Sequence, residues 1–270
     1  FNLGFFMEFK KLGKSDLTVS AYCLGTMTFG EATSETDSHL QIDQSLASGI
    51  NFIDTAEMYP TCPLREETTG DTEVIIGNWI EKNKSKRADF VLATKISGKG
   101  YKAVRNGEGI DEKSIKIAIE GSLKKLKTDY IDLYQLHWPD RGSYHFRQNW
   151  NYNPTNQDTE IAKDNINGVL NSLSDLQKEG KIRHIGLSNE TCWGTSHFLD
   201  QLKNFSNLII ASIQNEYSLL CRLYDLDMAE MSHHENISLL SYSPLAGGFL
   251  TGKYINDNVP DNSRLSRVPS

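Results

Sequence analysis

Short apolar runs and longer amphipathic stretches alternate along most of this chain. Seven runs rich in β-branched and aromatic residues occupy 21–24, 51–54, 90–94, 130–137, 182–187, 208–215 and 237–242. They are almost continuously apolar, as expected for strands that are buried on both faces of a parallel sheet. The pattern therefore predicts seven successive strand–helix units joined by right-handed crossovers.

The stretches between these runs have helical periodicity. Helices are predicted over 34–49, 71–82, 111–125, 164–180, 191–203 and 224–235. Ser34, Asp111 and Asp164 have the short polar side chains that cap helix N-termini. Ahead of the first strand, segments 8–12 and 17–20 flank a polar turn, which predicts a β-hairpin.

Two architectures fit this alternation, an open doubly wound sheet and a closed barrel. A doubly wound sheet usually has a G-x-G-x-x-G turn after its first strand, and residues 24–30 (LGTMTFG) do not match it. Ionisable residues end three consecutive strands, which favours a (β/α)₈ barrel of the TIM type. The long connections 55–70 and 138–163 are expected at its active-site face.

Length and charge narrow the class of protein. The 270 residues suit one barrel domain, predicted over 7–270, and a formal net charge of −7 argues against a nucleic-acid partner. No apolar run is long enough for a membrane span. Residues 1–6 lack the features of a signal peptide and are predicted to be a non-native or disordered extension. The composition suits an enzyme that acts on a small-molecule substrate, and it leaves the oligomeric state open.

Cysteine and histidine spacing gives no support for a metal site. Four cysteines are scattered without a C-x-x-C pair, which indicates free thiols and a cytoplasmic location. His233 and His234 are adjacent and lack the H-E-x-x-H spacing of a zinc site. We therefore expect no metal.

Four residues are placed for carbonyl chemistry. Asp54 ends the second predicted strand, Lys95 follows the third and His137 ends the fourth. In a barrel these side chains converge on one mouth, and Tyr59 lies close enough in sequence to reach it. Singly, each has an ordinary structural interpretation, such as a turn former or a core histidine. Together and in this order, they indicate a catalytic site.

Each residue type has a task in reducing a carbonyl. A tyrosine near an ammonium becomes a better proton donor, and a buried lysine needs a counter-charge such as Asp54. A neutral imidazole can hydrogen-bond the substrate oxygen. A Schiff-base enzyme using Lys95 as nucleophile is the rival class, and Asp54 speaks against it by keeping the amine charged.

Block by block, the sequence resembles the aldo-keto reductase superfamily. The matching blocks lie at 25–27, 54–59, 93–95, 132–138 and 186–189, and the resemblance extends from Met7 to about Tyr254. Residues 25–30 and 189–191 resemble the Tas-like branch, near the voltage-gated potassium channel β-subunits. The resemblance implies NAD(P)H-dependent reduction of an aldehyde or ketone, with Tyr59 as the general acid. It implies NADPH as cofactor, with NADH not excluded.

The resemblance also implies a set of cofactor-binding residues. Ser188, Asn189 and Gln214 would hold the nicotinamide carboxamide, and Tyr242 would stack on the ring. The segment 243–253 resembles the pyrophosphate loop of the family, and Arg264 is either a phosphate ligand or a solvated arginine. The remaining implied residues are Gly25, Thr26, Met27, Ser243, Pro244, Leu245, Gly248 and Lys253.

One alternative function follows from the same resemblance. The channel β-subunits suggest a cofactor-binding redox sensor or regulatory subunit with little turnover. Those proteins carry Asn where this sequence has His137, which favours an enzyme. The sequence does not name the substrate.

The end of the chain carries a separate expectation. Residues 255–270 show neither an apolar strand nor an amphipathic helix. A barrel of this kind closes with eight strands, so the pattern predicts a barrel that lacks its last strand and helices.

Overall fold

Seven parallel strands form the centre of the molecule. In the computed structural model, which describes residues 6–268, they pair in sequence order to give one curled sheet. The strands are β3 (Leu24–Gly25), β4 (Phe52–Asp54), β5 (Val91–Ile96), β6 (Ile131–Leu136), β7 (Ile182–Ser188), β8 (Ile210–Glu216) and β9 (Ser238–Tyr242). The predicted α/β class is confirmed, and this curled parallel sheet is consistent with a TIM-type barrel.

Alternation along the strands separates the inside of the curled sheet from its outside. Val91 and Ala93 of β5 belong to the inner apolar cluster, while Leu92 and Ile96 face the helices. Lys95 therefore continues the inward row at the carboxyl end of the strand. The sequence pattern ended this strand too early, because Lys95 lies within β5 and not after it.

Six helices of eight or more residues follow strands β3 to β8. They are α1 (Glu35–Ala47), α2 (Asp71–Lys82), α3 (Glu112–Leu126), α4 (Thr159–Lys178), α5 (Cys192–Leu202) and α6 (Met228–Glu235). Ser34 and Asp111 cap α1 and α3 as predicted, and Asp111 forms a capping box with Ser114. Within residues 6–268, no helix has the length and apolar content needed to span a membrane.

Two helix starts differ from the prediction. Asp158, and not Asp164, caps α4, because its carboxylate accepts from the backbone N–H groups of Glu160 and Ile161 at 3.0 Å. Asp164 lies inside the helix. The segment predicted to begin α6 instead contains a short 3₁₀ turn, Leu223–Asp225, and the helix starts at Met228.

The N-terminal hairpin covers the amino end of the sheet. Strands β1 (Phe9–Lys11) and β2 (Thr18–Ser20) pair antiparallel, and Leu12, Leu17 and Val19 join the inner cluster. Gly13, at φ +54°, lets the turn approach the sheet, since a Cβ there would lie 2.4 Å from the Ala211 carbonyl oxygen. The carboxyl end of the sheet is left for the site.

The segment after β9 is mostly irregular. Residues 255–268 contain a 3₁₀ turn (Ile255–Asp257) and the four-residue helix α7 (Arg264–Arg267). Within residues 6–268 there is no pairing between β3 and β9. Of the predicted extension 1–6, residues 1–5 lie outside the described residues, and Phe6 is exposed.

Two helical glycines provide a test of the packing. A Cβ on Gly77 of α2 would lie 1.9 Å from the Lys125 carbonyl oxygen of α3, whereas one on Gly121 would have nothing within 4 Å. We expect Gly77→Ala to lower the free energy of unfolding by about 1–3 kcal/mol through overpacking. The matched control, Gly121→Ala, should raise it by about 0.5–1 kcal/mol. Urea unfolding of both variants measures this, and equal effects would contradict the close contact.

Candidate active site

A buried lysine lies at the centre of the candidate site. Lys95 is completely buried, and its Nζ donates to Asp54 Oδ2 at 2.5 Å and to the Thr55 carbonyl oxygen at 2.9 Å. Burial alone would lower the pKa of Lys95, but the Asp54 carboxylate and Tyr59 outweigh it and raise that pKa. The amine is therefore charged, which disfavours the Schiff-base class of mechanism.

Two glutamines complete the surroundings of Asp54. Gln135 Nε2 and Gln214 Nε2 donate to Asp54 Oδ1 at 2.8 and 3.0 Å, and the two amides are themselves 3.3 Å apart. Both Asp54 oxygens thus have partners within the sheet interior. Gln135 was not predicted as a site residue, although its inward position two residues before His137 was a usable signal.

Tyr59 lies on the loop that follows β4, next to the Lys95–Asp54 ion pair. Its hydroxyl is 3.4 Å from Lys95 Nζ, and the ammonium lies 4.8 Å from the centre of its ring. Burial raises the pKa of Tyr59, while Lys95 acts to lower it. Lys95 thus acts on the pKa of Tyr59 in the predicted direction, but burial raises that pKa by more than Lys95 lowers it.

His137 follows β6 and faces Tyr59. The two rings meet edge to face at 5.7 Å between centroids. Burial and then the Lys95 ammonium lower the pKa of His137 well below its usual range, so the imidazole is neutral at pH 7. Its Nδ1 is buried and has no hydrogen-bond partner within residues 6–268. The four predicted catalytic residues therefore converge at one mouth.

Polar side chains are also gathered at the ends of β7 and β9. Asn189 Nδ2 donates to the His137 carbonyl oxygen at 2.9 Å, and its Oδ1 accepts from the Tyr242 hydroxyl at 2.8 Å. Ser188 Oγ donates to the Gln214 carbonyl oxygen at 2.9 Å. The backbone of Gln214 thus lies with Ser188 and Asn189, while its side chain belongs to the Asp54 network.

The loop after β9 brings small residues and cations together. Gly248 adopts φ +102°, and a Cβ there would lie 2.9 Å from Lys253 Nζ. A Cβ on Gly247 would lie 3.8 Å from Arg264 Nε. Lys253 and Arg264 are both exposed. Ser243, at φ +54°, Pro244 and Leu245 lead into this loop.

The loop after β3 occupies another side of the mouth. Thr26 is buried, and its Oγ1 donates to the Asp54 carbonyl oxygen at 2.8 Å. Met27 packs against the cluster that contains Tyr59, while Gly25 is exposed at the end of β3. Among residues 6–268, no three His, Cys, Asp or Glu side chains are grouped so that they could hold a metal ion.

Two buried ion pairs that the sequence pattern did not predict lie beside the site. Glu57 pairs with Arg105 beneath the Tyr59 loop, and Glu190 pairs with Arg141 next to Asn189. Each joins residues far apart in the chain, so spacing gave no signal. His145 extends the second contact, since its Nε2 lies 3.1 Å from the Glu190 carbonyl oxygen. The long 138–158 connection is thereby fixed to the end of β7.

Fold and site together define a class of protein. A curled parallel sheet with buried Asp54, Tyr59, Lys95 and His137 at its carboxyl edge is typical of TIM-type α/β enzymes. Residues 21–268 match the aldo/keto reductase family. The chain belongs to that family and is an oxidoreductase, and the family uses a nicotinamide cofactor.

Three relatives show how far the similarity extends. Protein tas of Escherichia coli is 43% identical over 261 residues, which cover 96% of this chain and 74% of that protein. The uncharacterized oxidoreductase YrpG of Bacillus subtilis is 32% identical over 259 residues, 93% of this chain and 71% of that protein. Norsolorinic acid reductase B of Dothistroma septosporum is 29% identical over 271 aligned residues, which cover 95% of this chain and 61% of that protein.

The buried His145 gives a pH-dependent stability. Burial lowers the pKa of His145 to about 4, so between that value and the unfolded pKa near ~6.5 only the unfolded chain takes up this proton. The contribution is present above pH ~6.5 and is lost as the pH falls toward 4. We expect the loss of unfolding free energy between pH 7 and 5 to be about 1–2 kcal/mol smaller in His145→Gln.

Urea unfolding at pH 7, 6 and 5 measures this loss. Exposed His234 supplies the matched control, and His234→Gln should keep the pH dependence of the wild type. An unchanged slope in His145→Gln would show that folding does not lower the pKa of His145.

Proposed function

We propose that this chain reduces aldehydes or ketones to alcohols with a nicotinamide cofactor. The expected cofactor is NADPH, and NADH is the alternative. The observation that carries the proposal is the buried Lys95 ammonium held between Asp54 and Tyr59. Such an arrangement serves a step in which a phenol gives up a proton and must bear negative charge. The name of norsolorinic acid reductase B, a relative, also indicates reduction.

Tyr59 is the proton donor in this proposal. As a carbonyl carbon is reduced, its oxygen gains negative charge and takes the proton from the Tyr59 hydroxyl. The Lys95 ammonium, 3.4 Å from that hydroxyl, stabilises the phenolate that remains. Asp54 keeps Lys95 protonated, and the Gln135 and Gln214 amides hold the carboxylate in place.

His137 orients the carbonyl. Its imidazole is neutral because burial and Lys95 keep its pKa well below the usual range, so it can donate one hydrogen bond to the substrate oxygen. Its position edge-on to the Tyr59 ring puts both groups on one side of the mouth. Substrate oxygen held between them would be aligned for proton transfer.

The chain has groups that fit a nicotinamide dinucleotide. Bound there, the cofactor would supply the hydride. Ser188 and Asn189 present buried amide and hydroxyl groups suited to a carboxamide, and Tyr242 offers a ring beside them. Gly248, flanked by Lys253, lets backbone amides approach phosphate, and Arg264 is close to the same turn.

Replacement of the proposed acid tests the reaction. We expect Tyr59→Phe to lower kcat by about 10²-fold or more, because proton donation is lost, while nicotinamide binding stays within a few-fold of normal. Tyr101→Phe is the control. Tyr101 packs against the apolar cluster that contains Tyr59, but its hydroxyl bonds Thr69, so this variant should keep most of the turnover. The measurements are steady-state rates over a panel of aldehydes and ketones, and fluorescence titration of NADPH and NADH.

Two results would count against the proposal. Normal turnover in Tyr59→Phe would remove Tyr59 from its role. Tight cofactor binding by the wild-type chain, without turnover of any carbonyl in the panel, would favour the regulatory alternative.

Replacement of the ring at the end of β9 tests the cofactor site. Tyr242→Ala is expected to weaken nicotinamide binding about tenfold, because a stacked aromatic face is lost. Tyr242→Phe keeps the ring and loses only the hydrogen bond to Asn189. It should bind the cofactor nearly as well as the wild type. Equal dissociation constants in the wild type and Tyr242→Ala would show that the ring does not stack.

A further inference from the structure

A second buried ion pair lies directly beneath the Tyr59 loop. The Glu57 carboxylate accepts from Arg105, and the two side chains are only 7% and 8% exposed. Burying such a pair costs desolvation of both charges, so it is weak evidence for a role in stability. Arg105 and the next residue, Asn106, adopt φ of +43° and +57°, a left-handed backbone that asparagine tolerates but that is unfavourable for arginine. The desolvation of the ion pair and the left-handed backbone of Arg105 therefore both cost free energy at the same position.

The pair fastens the Tyr59 loop to the strand that carries Lys95. Glu57 N donates to the Lys95 carbonyl oxygen at 3.1 Å, and the Glu57 carboxylate accepts from the backbone N–H of Ser97. Arg105 NH2 donates to the Ser97 carbonyl oxygen at 2.7 Å. Glu57 is therefore attached to β5 and its extension by main chain and side chain at once.

Tyr59 follows two residues later, and its own backbone is attached to other parts of the chain. Its hydroxyl contact to Lys95 Nζ is 3.4 Å, near the limit of a hydrogen bond. Its backbone N–H donates to the local carbonyl of Ala56 at 3.1 Å, and its carbonyl oxygen accepts from the backbone N–H of Gly70 at 2.9 Å, at the start of α2. Neither backbone contact reaches β5. Glu57 is therefore the nearest point at which the loop is bound to the strand that carries Lys95, and it helps to set the distance between the phenol and the ammonium.

We propose that Glu57 and Arg105 are positioning residues that hold Tyr59 against Lys95 for proton transfer. The proposal rests on the proposed function, because it assigns these residues a task only if Tyr59 is the acid. Neither side chain touches the reacting atoms. Their effect reaches the reaction through the loop of residues 55–60 and through the strand end at Ser97.

The amino ends of β5 and β6 provide a matched control, because they carry a similar carboxylate. Asp132 is a buried carboxylate that accepts from Arg87 at 2.8 Å, from the half-exposed Arg183 at 2.9 Å and from the backbone N–H of Leu92 at 3.0 Å. It therefore repeats the chemistry of Glu57, a buried carboxylate that joins an arginine to a backbone N–H in β5 or directly after it. It lies at the amino end of the strands, away from Tyr59. Loss of either carboxylate leaves a buried arginine without its partner, so both should cost stability.

The first experiment compares Glu57→Gln with Asp132→Asn. We expect Glu57→Gln to lower kcat by about 10- to 100-fold with NADPH affinity unchanged, because small misplacements of a catalytic group have effects of this size. The solvent deuterium isotope effect on kcat should rise as proton transfer becomes slower. Asp132→Asn should keep kcat and the isotope effect of the wild type per folded molecule. Equal kcat in the two variants would overturn the proposal.

A milder series covers the case in which Glu57→Gln does not fold. Arg105→Lys keeps the charge but loses the fork that holds Glu57 and Ser97 together, and Arg105→Met loses both. We expect kcat to fall in the order wild type, Arg105→Lys, Arg105→Met, with KM for the cofactor constant. Equal kcat in all three would contradict the proposed role.

A double-variant cycle separates this proposal from the proposed function. In a Tyr59→Phe background, adding Glu57→Gln should lower the residual rate by less than about twofold, since the phenol to be positioned is gone. A full further loss would show that Glu57 acts on something other than Tyr59. If Tyr59→Phe alone keeps normal turnover, the proposed function fails; if it is inactive while Glu57→Gln is normal, only this proposal fails.

Discussion

Lys95 holds an ammonium in the interior of the curled sheet, with no exposure to water, and most of the site follows from that burial. A charge so placed must be paired and hydrogen-bonded, or it would lose its proton. Asp54 supplies the opposite charge at 2.5 Å. Asp54 in turn must be satisfied, which accounts for the two glutamine amides on its other oxygen. The polar interior is thus one connected network.

Strand alternation decides which groups enter this network. Successive side chains of β5 point to opposite faces, so Lys95 points inward while Thr94 points outward and donates to buried Glu73 at 2.6 Å. Parallel pairing aligns Ala93 with Asp54 of β4, and aligns Lys95 with Gln135 of β6. No loop is needed to assemble the lysine, the aspartate and the glutamine, because register alone brings them together.

Features that depend on local chemistry were predictable from the sequence, and features that depend on distant partners were not. Apolar runs located the strands, and the order of Asp54, Lys95 and His137 at successive strand ends predicted that these side chains meet at one edge of the sheet. The start of α4 was misplaced because Asp158 and Asp164 are equally good caps, and only the fold selects between them. The pKa of Tyr59 depends on burial among loops, which periodicity does not report.

The two ends of β5 show how the same chemistry acquires different consequences. At the amino end, Asp132 joins Arg87 to a strand amide beside an apolar interior that the hairpin covers. At the carboxyl end, Glu57 joins Arg105 to the strand, but its own backbone continues directly into Tyr59. A displaced first contact lies away from Tyr59, whereas a displaced second contact would move a phenol relative to an ammonium. On the proposed role of Tyr59, position along the strand, more than the type of bond, therefore determines which ion pair can affect the reaction.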